Sequence, residues 1–202
     1  ETLGRNDTNG LDERTLRLRA AFAPAARWTA DVSTLWVEQD NGFDAFALDN
    51  SRVTRSDQPG RDRQLSRGLS LTLEREDELI LRSVTAIADA DIVYAFDGDW
   101  GADPGYDFTS RFLRGHRTVS QDLRLRSAGA SDWVAGVYAS QVDERNDQLD
   151  LYGGEVYREL VSDYRARTLA GYGTLQRDFA SRWRASAGLR IERRAVRYDD
   201  TD

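Results

Sequence analysis

The sequence predicts an all-β fold, an antiparallel up-and-down meander of about eight long strands that is part of a larger transmembrane β-barrel. Three observations in the 202 residues predict this fold. Apolar and polar residues alternate with period two, short and long connections alternate along the chain, and tryptophans recur at one equivalent position. Period two indicates strands with two different faces, because successive side chains of a strand point to opposite sides.

The alternation places eight strands along the chain. In the second strand, for example, Trp28, Ala30 and Val32 alternate with Thr29 and Asp31. The apolar phase switches after Arg82, which predicts a β-bulge there, and residues 155–161 are compatible with one turn of helix. The predicted strands are 13–23, 27–38, 66–75, 78–94, 115–127, 132–144, 163–178 and 183–198.

The connections between these strands alternate in length. The short turns are centred near residues 25, 76, 130 and 181, whereas residues 39–65, 95–114 and 145–162 form long polar connections. A soluble propeller of similar repeat length fits four short strands into each blade, so two long strands per repeat argue against it. Short turns on one side and long loops on the other are typical of an outer-membrane barrel, whose tilted strands need about 9–11 residues to cross the bilayer.

The tryptophans predict the two borders of an apolar band. Trp28, Trp133 and Trp183 each begin a strand directly after a short turn, and Trp36 lies further along the same face as Trp28. At ~3.3 Å per residue and a tilt of ~40°, Trp28 and Trp36 differ in height by about 20 Å, close to the ~25 Å band of such barrels. We therefore predict that these four residues form a membrane girdle.

The same alternation predicts which side chains face lipid and which face the barrel interior. An arginine on the lipid face at mid-membrane costs roughly 2–4 kcal/mol, so the charged set is placed inside. The outward set is Trp28, Ala30, Val32, Leu71, Leu125, Leu189 and Ile191, and the inward set is Arg19, Asp31, Thr72, Arg124, Arg126 and Arg190.

Composition excludes several function classes. The chain has a formal net charge of −7, no cysteine and a single histidine, His116. Disulfide scaffolds, zinc fingers and thiol nucleophiles are therefore excluded, and the acidic balance argues against a nucleic-acid partner. Asp97 and Asp99 lack a cleft signature for hydrolysis, and the acidic loops lack calcium-loop spacing. We predict no enzymatic activity, no cofactor and no metal.

Several stretches in fixed order resemble one known family. They are residues 40–62, FDGDW at 96–100, residues 117–127, DWVAGVYAS at 132–140, and residues 162–192. In this order they resemble barrel strands of the TonB-dependent receptors of the Gram-negative outer membrane. The resemblance implies a 22-stranded barrel, of which residues 1–202 are a partial barrel domain of about a third, without the plug domain. A first strand running inward and a last strand running outward place both chain ends outside the cell, which also predicts an internal piece of a larger barrel.

The resemblance also implies a location and partners. The location is the cell outer membrane, and the activity is energy-coupled uptake of ferric siderophores or similar scarce nutrients. The implied partners are outer-membrane lipid, the receptor's own plug domain, the TonB complex reached through that plug, and the small nutrient itself.

Two groups of residues are candidate contacts. Aromatic residues in the long loops could stack on a ligand at the outer mouth, or equally could pack loop against loop; these are Phe43, Phe46, Trp100 and Tyr106. Interior arginines could draw anionic chelates inward, or could solvate the lumen and contact the plug; these are Arg19, Arg124, Arg126 and Arg190.

Two other interpretations remain open at this stage. One is a soluble or surface structural β-sheet protein without a transport role, although an uninterrupted leucine face at Leu69, Leu71 and Leu73 argues against it. The other is a small complete eight-stranded outer-membrane barrel, whose first and last strands would have to pair with each other.

Overall fold

Eight long strands form one antiparallel sheet. The computed structural model describes residues 8, 10–42, 46–50, 53–58, 60–103, 105–127, 132–180 and 183–201. The order in the sheet is the order in the chain, so every strand pairs with its sequence neighbours. The predicted all-β meander is therefore confirmed. The strands are β1 (Glu13–Ala25), β2 (Trp28–Gly42), β3 (Arg61–Glu76), β4 (Leu79–Asp97), β5 (Phe108–Ser127), β6 (Asp132–Tyr152), β7 (Glu155–Ala180) and β8 (Trp183–Asp200).

The sheet is a single open layer. Within the described part of the chain, β1 is hydrogen-bonded only to β2 and β8 only to β7, so both outer edges lack a partner strand. Among the same residues, no helix is long and apolar enough to cross a membrane. The largest apolar side chains are not collected in an enclosed core, and Ile191, for example, is 71% exposed.

The strands extend further into the predicted long connections than expected. The predicted connection at residues 145–162 is wrong, because β6 and β7 continue to a two-residue turn at Gly153 and Gly154. Their φ angles of 57° and 78° are those of a tight hairpin turn that favours glycine. The helical turn considered at residues 155–161 is also wrong, since these residues belong to β7. The alternation of apolar and polar residues is lost in this part of β6 and β7, while the backbone pairing continues.

The predicted bulge after Arg82 is wrong as well. β4 pairs with both β3 and β5 without any register shift. The apolar phase is interrupted because Ser83 and Thr85 occupy positions on the otherwise apolar side. Gln121 of β5 satisfies both, accepting from the Thr85 hydroxyl at 2.5 Å and donating to the Ser83 hydroxyl at 2.9 Å. The observed shifts lie at strand ends in β1, β2, β6 and β7.

The register divides the side chains between two faces as predicted. Residues paired across antiparallel strands share a face. Following the pairs across the sheet, all seven residues of the predicted outward set lie on one face and all six of the predicted inward set lie on the other. We call them the apolar face, which bears Trp28, Leu71 and Leu189, and the polar face, which bears Thr72 and Arg190.

The four tryptophans of the predicted girdle share the apolar face. Trp28, Trp133 and Trp183 are at or next to the first residue of β2, β6 and β8, all at the short-turn end of the sheet. Trp36 lies on the same face of β2, nearer the loop end, opposite Arg67. The structure thus places three tryptophans along one end of the sheet and the fourth at the other end of the apolar stretch.

Two turns at the short end of the sheet, β1–β2 and β3–β4, are fastened to each other. The Arg27 guanidinium donates to the Asp77 carboxylate at 2.6 Å, and the Arg27 carbonyl accepts from the Glu76 N–H at 2.9 Å. The Glu78 N–H and the Arg27 charge hold the pKa of Asp77 below its ordinary value. These contacts tie the β1–β2 turn to the β3–β4 turn.

Candidate functional site

A polar network on the polar face is centred on Asp122 of β5. Its carboxylate accepts two hydrogen bonds from Arg124, at 3.0 and 2.8 Å, and a third from the Tyr172 hydroxyl at 2.7 Å. Tyr172 belongs to β7, so its side chain crosses over β6 to reach β5. It crosses at Gly136, where a Cβ atom would come within 2.5 Å of the tyrosine Cζ. The glycine is therefore what permits this contact between next-nearest strands.

Arg190 extends the network to β8. Its guanidinium lies 5.7 Å from the ring centroid of Tyr138 and 5.9 Å from that of Tyr172. It also donates to the Glu192 carboxylate, at 3.0 Å from Nε and at 2.5 Å from Nη2. A guanidinium within about 6 Å of an aromatic face is attracted by the ring. Four strands, β5 to β8, are thus joined by one set of side chains on the polar face.

The other predicted interior arginines also have carboxylate neighbours. Arg19 donates to Asp31 at 2.7 Å, and Arg126 lies 3.8 Å from Glu74. The four arginines singled out from the sequence therefore lie in ion pairs on the polar face. This face offers compensated charge and hydrogen-bonding groups, which suits contact with a folded polar surface in water.

A second cluster joins two loops at the opposite end of the sheet. Asp97, the last residue of β4, is 1% exposed and accepts from the Ser56 hydroxyl at 2.6 Å. It also accepts from the N–H groups of Asp57, Asp99 and Trp100 at 3.2, 3.1 and 3.2 Å. We call this set of residues the Asp97 cluster. It fastens the β2–β3 connection onto the β4–β5 connection.

Aromatic side chains pack beside the Asp97 cluster. The rings of Phe46 and Trp100 have centroids 5.4 Å apart, and the Phe46 carbonyl accepts from the Thr54 hydroxyl at 2.6 Å. Tyr106 packs edge-on against Tyr152 with centroids 5.9 Å apart. The loop aromatics thus pack loop against loop, one of the two roles considered for them, and Phe43 lies outside the described residues.

These aromatics still present part of their surface to solvent. Phe46 is 39% and Trp100 37% exposed. Trp100 also lines a shallow cavity of about 190 Å³ together with Leu48, Val53 and Arg55. A contact with a small ligand at this rim stays a prediction. The cavity is lined by one aromatic ring, that of Trp100, and by one arginine, Arg55.

The rim carries one perturbed carboxyl group. Partial burial raises the pKa of Asp99 above its ordinary value, and the neighbouring charge of Asp97 adds to the effect. The N–H groups of Gly101 and Phe108, at 2.7 and 3.1 Å, oppose this shift because they stabilise the ionised form. The ionised carboxylates of Asp97 and Asp99 therefore repel each other, and the two N–H groups offset this repulsion.

Sequence reasoning missed the Asp122 network and the role of the Asp97 cluster. The sequence offered Asp97 only as one of the acidic loop residues and as a carboxylate pair with Asp99, and the alternation pattern does not single out Asp122 or Tyr172. A glycine inside a strand, such as Gly136, is the signal that could have indicated a close approach of another side chain.

Comparison with known proteins concerns the fold. No protein-family model and no curated protein matches the sequence. A solved structure does match it: the ferric yersiniabactin uptake receptor FyuA from Yersinia pestis, with a TM-score of 0.73 over 94% of this chain. The match shows that this chain shares its fold with part of that structure. Sequence identity is 14%, and the chain spans 33% of the length of that receptor.

Proposed function

We propose that this chain is a section of the barrel of an outer-membrane receptor that takes up ferric siderophores or similar scarce nutrients with TonB-coupled energy. The observation that carries the proposal is the uncovered apolar face of a meander that shares its fold with an uptake receptor. A single-layer sheet of this size leaves its leucines in water unless something apolar covers them. Lipid covers that face in the proposed barrel.

The open edges of the sheet fit the same proposal. The unpaired N–H and C=O groups of an edge strand cost several kcal/mol each when they are exposed to lipid. β1 and β8 have such edges in the described part of the chain. In the proposed receptor, further strands pair with both edges and close the barrel.

The two side-chain clusters then have distinct roles. The polar face, with the Asp122 network and its ion pairs, lines the barrel interior and contacts the plug domain. The rim around Phe46, Trp100 and the Asp97 cluster lies at the outer mouth, where the nutrient arrives. Both roles concern binding and passage, and the proposal includes no catalytic step.

Uptake by the intact protein tests the proposal. A strain producing the full-length protein under iron limitation should accumulate radiolabelled ferric siderophore from a panel, and deletion of TonB should abolish that accumulation. The protein should fractionate with the outer membrane. Recovery of the full-length protein as a detergent-free soluble monomer would instead favour a structural sheet protein and contradict the proposal.

A further inference from the structure

Two arginines lie side by side at the short-turn end of the apolar face. Arg75 of β3 pairs in register with Trp28 of β2 and with Leu81 of β4, and its Cζ atom lies 5.8 Å from the Trp28 ring centroid. Arg27, in the turn before Trp28, donates to one carboxylate oxygen of Asp77 at 2.6 Å, and Arg75 donates to the other at 3.3 Å. One carboxylate therefore holds both guanidinium groups, which we call the Arg27–Arg75 pair.

The pair has more positive charge and more donors than Asp77 can match. A guanidinium group has five N–H donors. In the described part of the chain, each of the two donates a single hydrogen bond to the carboxylate. The arginine side chains are 64% and 49% exposed, so their remaining donors are open to a ligand. Two positive charges and one negative charge meet in this contact, which favours an anionic ligand.

The backbone of Arg27 is an independent observation in favour of a ligand. Its φ angle is 67°, in the left-handed region that glycine and asparagine adopt more easily than arginine. Its ion pair with Asp77 is exposed on both sides, and exposed ion pairs stabilise a fold only slightly. An arginine kept in this conformation is therefore better explained by a contact outside the sheet.

The apolar face next to the pair offers an uncharged path for an acyl chain. Over the next three register rows toward the loops, the described residues of β2 to β5 place no charged side chain on this face. The path follows Leu73, Leu71 and Leu69, and the hydroxyl groups of Ser83 and Thr85 beside it are hydrogen-bonded within the sheet. It runs for about 20 Å at ~3.3 Å per residue, more than half of a hydrocarbon core about 30 Å thick.

We propose that the Arg27–Arg75 pair binds the phosphate of a glycerophospholipid in the inward leaflet of the outer membrane, with an acyl chain along Leu73 and Leu71. Guanidinium groups match phosphate oxygens in geometry and charge. Trp28 lies at the level of the phosphate, as tryptophans at a membrane interface do. The inference rests on the proposed function, which sets the loop end outside the cell and therefore the short turns at the phospholipid leaflet.

Lipid retention by the purified full-length protein tests this site. Native mass spectrometry in detergent would compare phosphatidylglycerol with diacylglycerol, which has the same acyl chains but no phosphate. The wild type should retain phosphatidylglycerol in preference to diacylglycerol. The double variant R27N/R75Q should retain phosphatidylglycerol on the order of 10-fold less, because two charge-assisted contacts are lost. Its retention of diacylglycerol should not change.

A matched control separates the site from general charge effects. R82Q/R184Q also removes two arginines at the short-turn end, but both lie on the polar face. Both are in ion pairs too, Arg82 with Glu74 at 3.7 Å and Arg184 with Asp178 at 2.7 Å. This control should retain phosphatidylglycerol like the wild type. Equal loss in R82Q/R184Q, equal retention by the wild type and R27N/R75Q, or full displacement of the lipid by soluble glycerophosphate would overturn the inference.

The single variant Arg27→Asn separates lipid binding from a structural role in the turn. Asparagine suits the left-handed backbone, so the midpoint of denaturant unfolding should not fall, whereas retention of phosphatidylglycerol should. Heat-dependent gel mobility would confirm that every variant is a folded barrel. A lower midpoint with unchanged retention would assign Arg27 to the stability of the turn and overturn the inference.

Failure of this inference is distinguishable from failure of the proposed function. A nitroxide label at Leu189 reports whether the apolar face meets lipid, independently of the Arg27–Arg75 pair. A lipid-exposed label together with unchanged retention in R27N/R75Q rejects the phosphate site alone. A water-exposed label rejects the proposed function and the phosphate site with it.

Discussion

The two faces of the sheet differ although the same backbone ladder carries both. On the apolar face, Leu71 and Leu189 have exposed neighbours of their own kind, whereas Thr72 and Arg190 on the polar face lie among ion pairs. Polar side chains on the apolar face, such as Ser83 and Thr85, are satisfied by a neighbour within the sheet. The difference shows that the same backbone pairing supports an apolar face and a polar face, so strand formation does not depend on the polarity of the side chains.

Charge on the wrong face should give the largest effect. If the proposed function holds, Leu71→Arg or Leu189→Arg in the full-length protein should impair barrel assembly, because an arginine facing mid-membrane lipid costs roughly 2–4 kcal/mol. Thr72→Arg, one residue away on the polar face, is the matched control and should assemble normally. The measurement is the fraction of heat-modifiable, folded protein in outer-membrane preparations. Equal tolerance at both positions would show that the faces are assigned the wrong way round.

A side chain at Gly136 should break the polar network from within. Gly136→Val places atoms where the Tyr172 ring lies, so the tyrosine must leave Asp122. Overpacking of this kind costs about 1–3 kcal/mol. Gly115→Ala is the control, because a Cβ there meets no atom within 4 Å.

The midpoint of denaturant unfolding in lipid vesicles checks this second prediction. The G136V midpoint should fall clearly below that of the wild type, and the G115A midpoint should not. The double variant G136V/Y172F tests the cause. If both substitutions break the same contact, their combined loss of unfolding free energy should be smaller than the sum of the two separate losses. A combined loss equal to that sum would mean that Gly136 and Tyr172 are not coupled through the network.

Loss of the Ser56 hydroxyl should loosen the rim without affecting the barrel. Ser56→Ala leaves the buried Asp97 carboxylate short of one donor, which costs about 1–3 kcal/mol locally. Limited proteolysis of intact cells should then cut the β2–β3 connection faster. Ser110→Ala is the matched control for Ser56→Ala. Ser110 donates to Asp150 at 2.5 Å in a similarly buried pair, and this pair lies away from the β2–β3 connection. Faster cutting in both variants would point to general loosening of the sheet.

The smallest expected effect concerns pH and has opposite signs at the two ends of the sheet. The pKa of Asp77 is lowered by folding, so its stabilising contribution is lost as the pH falls through the folded pKa. The pKa of Asp99 is raised by folding, so its destabilising contribution decreases as the pH falls through the folded pKa. Trp100 fluorescence, followed from about pH 7 to pH 4, reports how far the rim loosens on acidification. The rim of the wild type should loosen less than that of D99N.

More of the fold than of the candidate site could be predicted from the sequence. Alternation and turn spacing identified all eight strands and both faces, because apolar side chains recur on one face over the stretch of each strand nearer the short turns. The strand extensions beyond Glu144 and before Asp163 could not be predicted, since the alternation of apolar and polar residues disappears there while the backbone pairing continues. The Asp122 network and the Asp97 cluster depend on contacts between residues about 40 to 50 positions apart, and no local pattern reports such contacts.

A nitroxide scan along β3 of the full-length protein in outer-membrane lipid tests the central claim, that the apolar face lies against lipid, most directly. Labels at single cysteines from residue 69 to residue 73 would be compared for collision with oxygen and with a water-soluble nickel complex. We predict high oxygen accessibility at Leu69, Leu71 and Leu73 and low oxygen accessibility at Ser70 and Thr72, a period of two residues. Uniform accessibility to the nickel complex along the scan, or oxygen maxima at Ser70 and Thr72, would contradict a sheet whose apolar face lies against lipid.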